Sequence, residues 1–312
     1  MFYICTNFIK SFIPRLMLKE RVFLFLFTVL LASGFQAQRH ELGLRLGMSN
    51  LVGDIGRTNY FLQKPFGGSF SQNGIPFYGG LIYRMNFNPY QTLRFDLGFS
   101  HIQFNDSYAK EEYRRMRGLK GTNSGMEADV LFEYNFFPVN DEQKSMLSPY
   151  VFGGFGTLFY NSARITFVND FNRVNGTPVV PATDNDFVTT AETSSANKMV
   201  MAVPFGAGLK YKFNYNWAIS GELMFKPTFS DGIDYSTIDN KDIRLTYNKD
   251  ITQNAGSTKS YLHQEPYITV AKQRAADYMA NINVGNIHSK DWVNSVTLSL
   301  TYSFGRPACY CD

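Results

Sequence analysis

The sequence predicts an all-β chain folded as a transmembrane, antiparallel, up-and-down β-barrel of about eight strands, with ten as the alternative. Three observations predict it. The one long apolar run lies near the N-terminus and is too short to span a bilayer. The rest of the chain alternates apolar and polar residues with a period of two in successive short blocks. The connections between these blocks alternate long and short. The composition agrees: 16% of the 312 residues are aromatic, with 29 Phe and 19 Tyr, too rich in large rings for a disordered chain. Three cysteines make no disulfide scaffold, and no CxxC pair points to zinc.

The apolar run, Val22 to Phe35, follows Lys19, Glu20 and Arg21 and precedes Gln36-Ala37-Gln38. A spanning helix needs roughly 20 apolar residues. A shorter run with basic flanks before it and a small residue after it is the pattern of a cleaved signal peptide. Residues 1–37 are therefore expected to be a leader, cut after Ala37. Met17 opens a better-formed leader than Met1, which makes residues 1–16 a candidate mis-assigned start. Removing Lys10, Arg15, Lys19, Arg21 and Glu20 with the leader leaves 26 basic and 25 acidic residues. The basicity thus belongs to the leader, and nucleic-acid binding is not expected. An exported chain with no other apolar helix is either soluble or a β-barrel.

The barrel is expected over residues 38–304. Its strands read in order. Leu42, Leu44, Leu46 and Met48 share a face opposite Gly43, Arg45 and Gly47. Over 77–87, Phe77, Leu81, Tyr83, Met85 and Phe87 oppose Arg84 and Asn86. Over 92–99, Leu93, Phe95, Leu97 and Phe99 oppose Thr92, Arg94 and Asp96. Over 127–136, Val130, Phe132, Tyr134 and Phe136 oppose Glu127, Asp129 and Glu133. Residues 150–160 are strand-like but apolar or Gly on both faces. Over 199–213, Met201, Val203, Phe205, Leu209 and Tyr211 oppose Lys210 and Lys212. Over 217–226, Trp217, Ile219, Leu223 and Phe225 oppose Ser220, Glu222 and Lys226. The cleanest block is 295–304, SVTLSLTYSF, whose strict alternation no helix explains. Two details depart from ideal strands. Pro204 cannot donate to a ladder and needs a bulge or an edge-like site. After Phe99 the apolar register shifts to Ile102 and Phe104, which suggests a bulge near Ser100.

Long connections are expected near 50–76, 105–122, 161–198 and 230–290, and short ones at 88–90, 138–147 and 214–216. Outer-membrane barrels have short periplasmic turns and long outer loops, which would place both termini, and the tail 305–312, in the periplasm. Within 230–290, Ile243–Tyr247 and Tyr267–Val270 could add a hairpin, and 271–280 could form a short helix. A water-soluble β-sandwich would alternate too, but would turn its charges to water. In an eight-stranded barrel the charged faces line a lumen that side chains fill, and charges of both signs suit such a lumen when they pair.

Little in the sequence points to chemistry. His40, His101, His263 and His288 form no HxxxH or HExxH pair, and there is no GxSxG elbow. Gly153-Gly154 and Gly206-Ala207-Gly208 read as close-packing or bulge positions within strands. The acidic pairs Asp184/Asp186 and Asp231/Asp234 could bind a cation, but without a calcium-type ligand series they read as solvated loop charges. No catalytic residue, metal, cofactor or small-molecule substrate is expected. The segment from Asp54 through Gly56, Arg57, Thr58 and Asn59 is a compact polar motif after the first strand: either a turn with an Asp–Arg pair or a recognition surface. The inner turns carry Asn88, Pro89, Asn214 and Asn216. In the tail, Arg306, Cys309 and Cys311 complete the candidate partner-binding set. Two cysteines one residue apart make a strained mutual bridge, so in an oxidising compartment they could pair with another chain.

The runs ELGLRLGMSNLVGDIGRTNY (41–60), GGLIYRMNFNPYQTLRFDLGFSHI (79–102), SPYVFGGFGTLFYN (148–161), AVPFGAGLKYKFNYNWAISGELMFKPTFSDGIDY (202–235) and DWVNSVTLSLTYSFGRP (291–307) resemble the PorG-type proteins of the type IX secretion system. The GDIGRTNY and VPFGxGxKYKxN segments carry most of the likeness. The resemblance implies an outer-membrane β-barrel of a Gram-negative bacterium, with no enzymatic activity to carry over. It further implies association with the periplasmic ring formed by the lipoprotein PorK and its partner PorN. The sequence departs from the family's richer acidic run after strand seven, reading Asp231-Gly232-Ile233-Asp234-Tyr235-Ser236, and 161–198 is enlarged. The expected role is a non-enzymatic component of the secretion machinery, held in outer-membrane lipid and docking that ring. The alternatives are a small adhesin or narrow pore and, last, a lipid-modifying enzyme built around His101, Asp106 and Ser107.

Overall fold

A computed structural model describes residues 39–57, 76–140, 145–171, 173–174, 177–178, 187–247, 265–285 and 289–305. The strands are β1 (Arg39–Val52), β2 (Phe77–Asn86), β3 (Gln91–Asn105), β4 (Lys120–Asn135), β5 (Met146–Phe171), β6 (Arg173–Val174), β7 (Thr177–Pro178), β8 (Phe187–Ala202), β9 (Phe205–Lys212), β10 (Trp217–Phe225), β11 (Ile243–Tyr247) and β12 (Trp292–Phe304). Two helices, α1 (Glu112–Arg117) and α2 (Glu265–Ile282), lie in the long connections. The leader 1–37, Thr58, Asn59, Asp184, Asp186, His263, His288, Arg306, Cys309 and Cys311 lie outside the described residues.

Eight strands form a closed antiparallel ring. The order runs β1-β2-β3-β4-β5-β9-β10-β12 and returns to β1. β1 and β12 seal it with paired positions from His40↔Phe304 to Val52↔Trp292. Closure satisfies every wall strand on both edges, as a bilayer demands.

The wall is inside-out relative to a soluble domain. Leu44, Leu46, Phe155 and Leu298 are each more than 60% exposed on the outer face, while Arg45, Arg84 and Arg94 are fully buried inside. Strict alternation along each strand produces this split. Two lumen tyrosines depend on glycine. A Cβ at Gly98 would lie 2.3 Å from Tyr78 Oη, and one at Gly208 would lie 2.6 Å from Tyr150 Cζ. Aromatics ring the end with short turns, where Trp217 meets Tyr302 edge-on at 5.1 Å and Tyr90 stacks on Tyr134 at 6.5 Å. Such girdles suit the interface between lipid and water.

Several sequence expectations need correction. There is no bulge at Ser100: its register with Tyr78 and Gly125 runs unbroken, and β3 pairs β4 through to Asn105↔Lys120. Ile102 and Phe104 point inward because the interior itself becomes apolar at that height, where they pack with Leu51, Leu158, Tyr160 and Ile233. Pro204 falls in the break between β8 and β9. Its carbonyl still accepts the Gly154 N–H at 2.9 Å, so the register with β5 carries through without an inserted residue.

The 161–198 connection is largely strand. β5 runs on past the wall and pairs β8 from Gly156↔Ala202 to Phe171↔Phe187. Ile243–Tyr247 is strand β11, but it joins this extension in parallel, at Ile243↔Ile165, and adds nothing to the ring. Residues 267–270 belong to α2 instead of a hairpin. Ala271, Ala275 and Met279, spaced by four, are buried on one side of that helix. Ala275 and Met279 pack on Ile165 and Phe167, which continue the outward face of β5 above the wall.

Candidate functional site

The barrel's interior is layered, and each layer follows from the inward residues of the strands. At the turn end a closed circuit of hydrogen bonds forms a floor. Glu41 Oε1 accepts from Asn86 Nδ2 at 2.9 Å, and Asn86 Oδ1 accepts from Thr92 Oγ1 at 2.7 Å. Thr92 Oγ1 accepts from Asn140 Nδ2 at 3.1 Å. Lys210 Nζ then donates to Asn140 Oδ1 at 3.1 Å and to Glu41 Oε1 at 2.8 Å. Asn140 enters this circuit because the β4–β5 connection folds inward, burying Val139 beside it.

Above the floor lies a belt of ion pairs. Glu222 from β10 lies 2.7 Å from Arg94, 3.2 Å from Arg84 and 3.4 Å from Arg45. Asp96 adds contacts at 2.9 Å to Arg45 and 2.7 Å to Arg94, and Glu133 lies 3.0 Å from Arg84. Lys226 bridges Glu127 and Asp129, the latter at 2.7 Å. The planar guanidiniums also lie over rings, Arg45 over Tyr78 at 4.5 Å and Arg94 over Phe152 at 4.9 Å. Buried charge is tolerable only when paired and hydrogen-bonded, and charges drawn from β1 through β4, β9 and β10 meet that condition.

At the loop end the lumen is stoppered by the segment after β10. Ile233 is fully buried against Leu51, Ile102, Phe104 and Val293. Asn123 Nδ2 donates to the Ile233 carbonyl at 2.7 Å. Tyr235 takes a left-handed φ of +62°, which turns the chain back outward, with its ring 6.1 Å from Phe104.

The structure places the GDIGR segment as part of this stopper. Gly56, at φ +95°, donates its N–H to Asp106 Oδ1 at 2.8 Å. Arg114 donates to the Gly53 and Gly56 carbonyls at 3.0 and 3.1 Å, and Arg117 donates to the Asp54 carbonyl at 2.7 Å. Arg57 lies over the Tyr108 ring at 5.0 Å and donates to its carbonyl at 3.1 Å.

Asp54 belongs to a group of buried acids, with Asp231, Asp234 and Asp291. Asp231 and Asp234 read as solvated in the sequence, yet they are 8% and 0% exposed. Asp234 accepts the Ile55 and Ser236 N–H groups at 2.8 and 2.9 Å, and Asp291 accepts the Ile233 N–H at 2.8 Å. Burial, then the neighbouring Asp54, pushes Asp231 up to about 6. Burial, then Asp234, pushes Asp291 up to about 9. No spacing rule finds this group, since its members come from three distant stretches of chain.

The short-turn asparagines build their own turns. Asn88 Oδ1 accepts the Tyr90 and Gln91 N–H groups at 2.8 Å each, and Asn214 Oδ1 accepts those of Asn216 and Trp217 at 3.0 and 2.7 Å. Asn216 Nδ2 donates to the Ser303 carbonyl at 2.8 Å, and the Pro89 carbonyl accepts from the Asn140 N–H. Asn88, Pro89, Asn214 and Asn216 thus lie together at one end, while Asp54, Gly56 and Arg57 lie at the other. The His101, Asp106 and Ser107 set is engaged separately: His101 Nδ1 bonds Ser124 Oγ at 2.8 Å, and Asp106 receives Arg117 and Leu119.

A family model described as a domain of unknown function (DUF6089) matches residues 20–183. No curated protein matches the chain. Among solved structures, the chain is similar to Ail, the attachment invasion locus protein of Yersinia pestis, in complex with the heparin analogue sucrose octasulfate. The identity is 12%, over 86% of this chain and 100% of that one, with a TM-score of 0.37. It is also similar to the outer membrane protein OprG from Pseudomonas aeruginosa, at 10% identity over 87% and 98% of the two chains, with a TM-score of 0.35. A major outer membrane protein from Thermus thermophilus matches at 12% identity over 86% and 100%, also with a TM-score of 0.35.

Proposed function

The chain belongs to the DUF6089 family, and from that starting point we propose that it is a non-enzymatic outer-membrane component of the type IX protein secretion machinery that docks a periplasmic ring of PorK/PorN type. The observation that carries the reading is a barrel with a lipid-facing wall and an interior crossed by a belt of ion pairs, the build of an anchor more than of a conduit. The resemblance to PorG-type proteins supplies the partner. Short turns around Asn88-Pro89 and Asn214-Tyr215-Asn216, held by their own side chains, offer a rigid docking edge. In this reading the turn end and both termini face the periplasm. Gently solubilised membranes should yield the ring subunits with this chain, and its deletion should stop release of secreted cargo. Normal secretion in the deletion strain would overturn the role. Ala at His101 should leave membrane lipid composition unchanged, as a chain without enzymatic activity requires.

A second reading, a small adhesin or narrow pore, draws on the β5–β8 hairpin, which with β11 and α2 extends beyond the ring on the loop side. Planar-bilayer conductance, or cell attachment lost on trimming residues 165–193, would favour it.

A further inference from the structure

The outer face of the wall changes character in one step near the loop end. Phe99, Met126, Phe159 and Met199 stand outward in one row across β3, β4, β5 and β8, paired in turn and each between 39% and 63% exposed. Two residues further towards the loop end, the outward positions are His101, Ser124, Asn161 and Asn197, with His101↔Ser124 and Asn161↔Asn197 in register. An apolar row beneath a polar one is what a wall presents where hydrocarbon gives way to lipid head groups.

A groove of about 350 Å³ opens on this border, lined by Phe99, Met126 and Phe159 below and by Ser124, Asn161 and Asn197 above. Its lower part is continuous with the lipid-facing wall, so an acyl chain reaches it without leaving the membrane. Its upper part is polar but uncharged. No Lys, Arg, Asp or Glu lines it, and so nothing in it makes the charge-assisted bonds that a phosphate favours. Ser124 Oγ is bonded to His101 Nδ1 at 2.8 Å, which closes the β3 side. Asn161 engages Asn123 through its main chain, which leaves its side-chain amide to the groove, beside that of the exposed Asn197.

A side-chain amide both donates and accepts. The matching lipid therefore carries donors as well as acceptors where its chains meet its head. A glycerol ester offers acceptors alone. An amide-linked hydroxyacyl chain on an amino sugar offers an N–H, hydroxyls and carbonyls. We propose that this groove binds an acylated amino sugar, the chemistry of lipid A, with an acyl chain along Met126 and Phe159 and its amide junction on Asn161 and Asn197. One lipid held there seats the root of the β5–β8 hairpin at a fixed height in the head-group layer.

Native mass spectrometry of the full-length, detergent-folded protein tests this, with lipid A and, separately, a diacyl phosphatidylethanolamine as probes. One lipid A per chain should be retained saturably, and about fivefold more strongly than the phospholipid. Asn161→Leu with Asn197→Leu keeps the bulk and removes both amides. It should weaken lipid A retention about tenfold, the worth of two neutral hydrogen bonds. Either substitution alone should weaken it about threefold, which serves if the double variant does not fold, as heat-modifiable migration reports. Leu298→Ala, on the opposite wall, should leave retention within about twofold. No saturable lipid A adduct, undiminished retention by the folded asparagine variants, or equal retention of the two lipids would overturn the proposal. None of these results bears on the secretion role, which rests on the turn end.

Discussion

The mid-lumen belt and the loop-end acids are both buried charge, but they are balanced by different means. In the belt, Glu222 alone touches three guanidiniums, and each of those touches further carboxylates. At the loop end, four carboxylates meet N–H groups, a serine hydroxyl, the ammonium of Lys290 and one another. The belt is compensated by side chains that the wall itself supplies, so its balance is fixed once the ring closes. The loop-end group has the Lys290 ammonium acting on Asp231, and burial pushes Asp231 and Asp291 up to about 6 and about 9, so these two hold protons that an ordinary carboxyl releases. Charge matched inside the fold makes a permanent strut, whereas charge held off by bound protons makes a fastening that responds to its surroundings.

The belt should give the largest effect. Glu222→Ala leaves three buried cations short of a partner, and breaking a buried pair costs about 3–5 kcal/mol. Urea titration of the folded form in micelles should show it, and a loss under about 1 kcal/mol would mean that the belt redistributes its pairs. Next is Ile233→Ala in the stopper, a truncation worth about 2–5 kcal/mol where the site cannot collapse. Its effect should be local: hydrogen exchange should quicken across 228–238 while amides of β1, β2 and β12 keep their protection.

The third prediction concerns pH. Asp231 and Asp291 titrate above the ordinary carboxylate range, so the folded stopper holds protons that the unfolded chain releases. Their stabilisation is whole below about pH 4. It is lost as pH rises past about 6 for Asp231 and on towards about 9 for Asp291. The charged groups acting on Asp231 are Asp54, Asp234 and the ammonium of Lys290. Quenching of Trp292 in a Trp217→Phe background should therefore increase from pH 5 to pH 9. A flat profile would erase the contrast between belt and stopper. The smallest effect belongs to the turn end: Asn214→Ala removes an acceptor serving two N–H groups and should cost about 1 kcal/mol, with the belt untouched.

Much of the wall was legible because a strand with lipid outside and charge inside writes its geometry directly as alternation. Leu42, Leu44 and Leu46 against Arg45 is such a case. The same rule misled at Ile102 and Phe104: periodicity reports which face a residue takes, not what that face meets, and there the inward face meets an apolar stopper. The β8 stretch around Thr193-Ser194-Ser195 hid its strand because little of it is covered, so no apolar pattern is required. The β-branched look of Ile268-Thr269-Val270 gave way to helix because Ala271, Ala275 and Met279 supply a buried stripe against the hairpin. The acid group was illegible for a different reason. Asp54, Asp231 and Asp291 are neighbours only after the ring has closed, and a lone Asp near a glycine looks the same whether it faces water or the interior.

The seam between the first and last strands bears on how the protein is made. Because His40 pairs with Phe304, the cylinder is sealed by partners far apart along the chain, a contact of very high sequence separation and so slow to form. A ribosomal product interrupted anywhere before Trp292 carries two unmated edges and cannot be finished. Completion of synthesis is therefore a precondition of membrane assembly, and a chaperone holding the unsealed chain must keep both margins apart from those of its neighbours until the last thirteen-residue strand arrives.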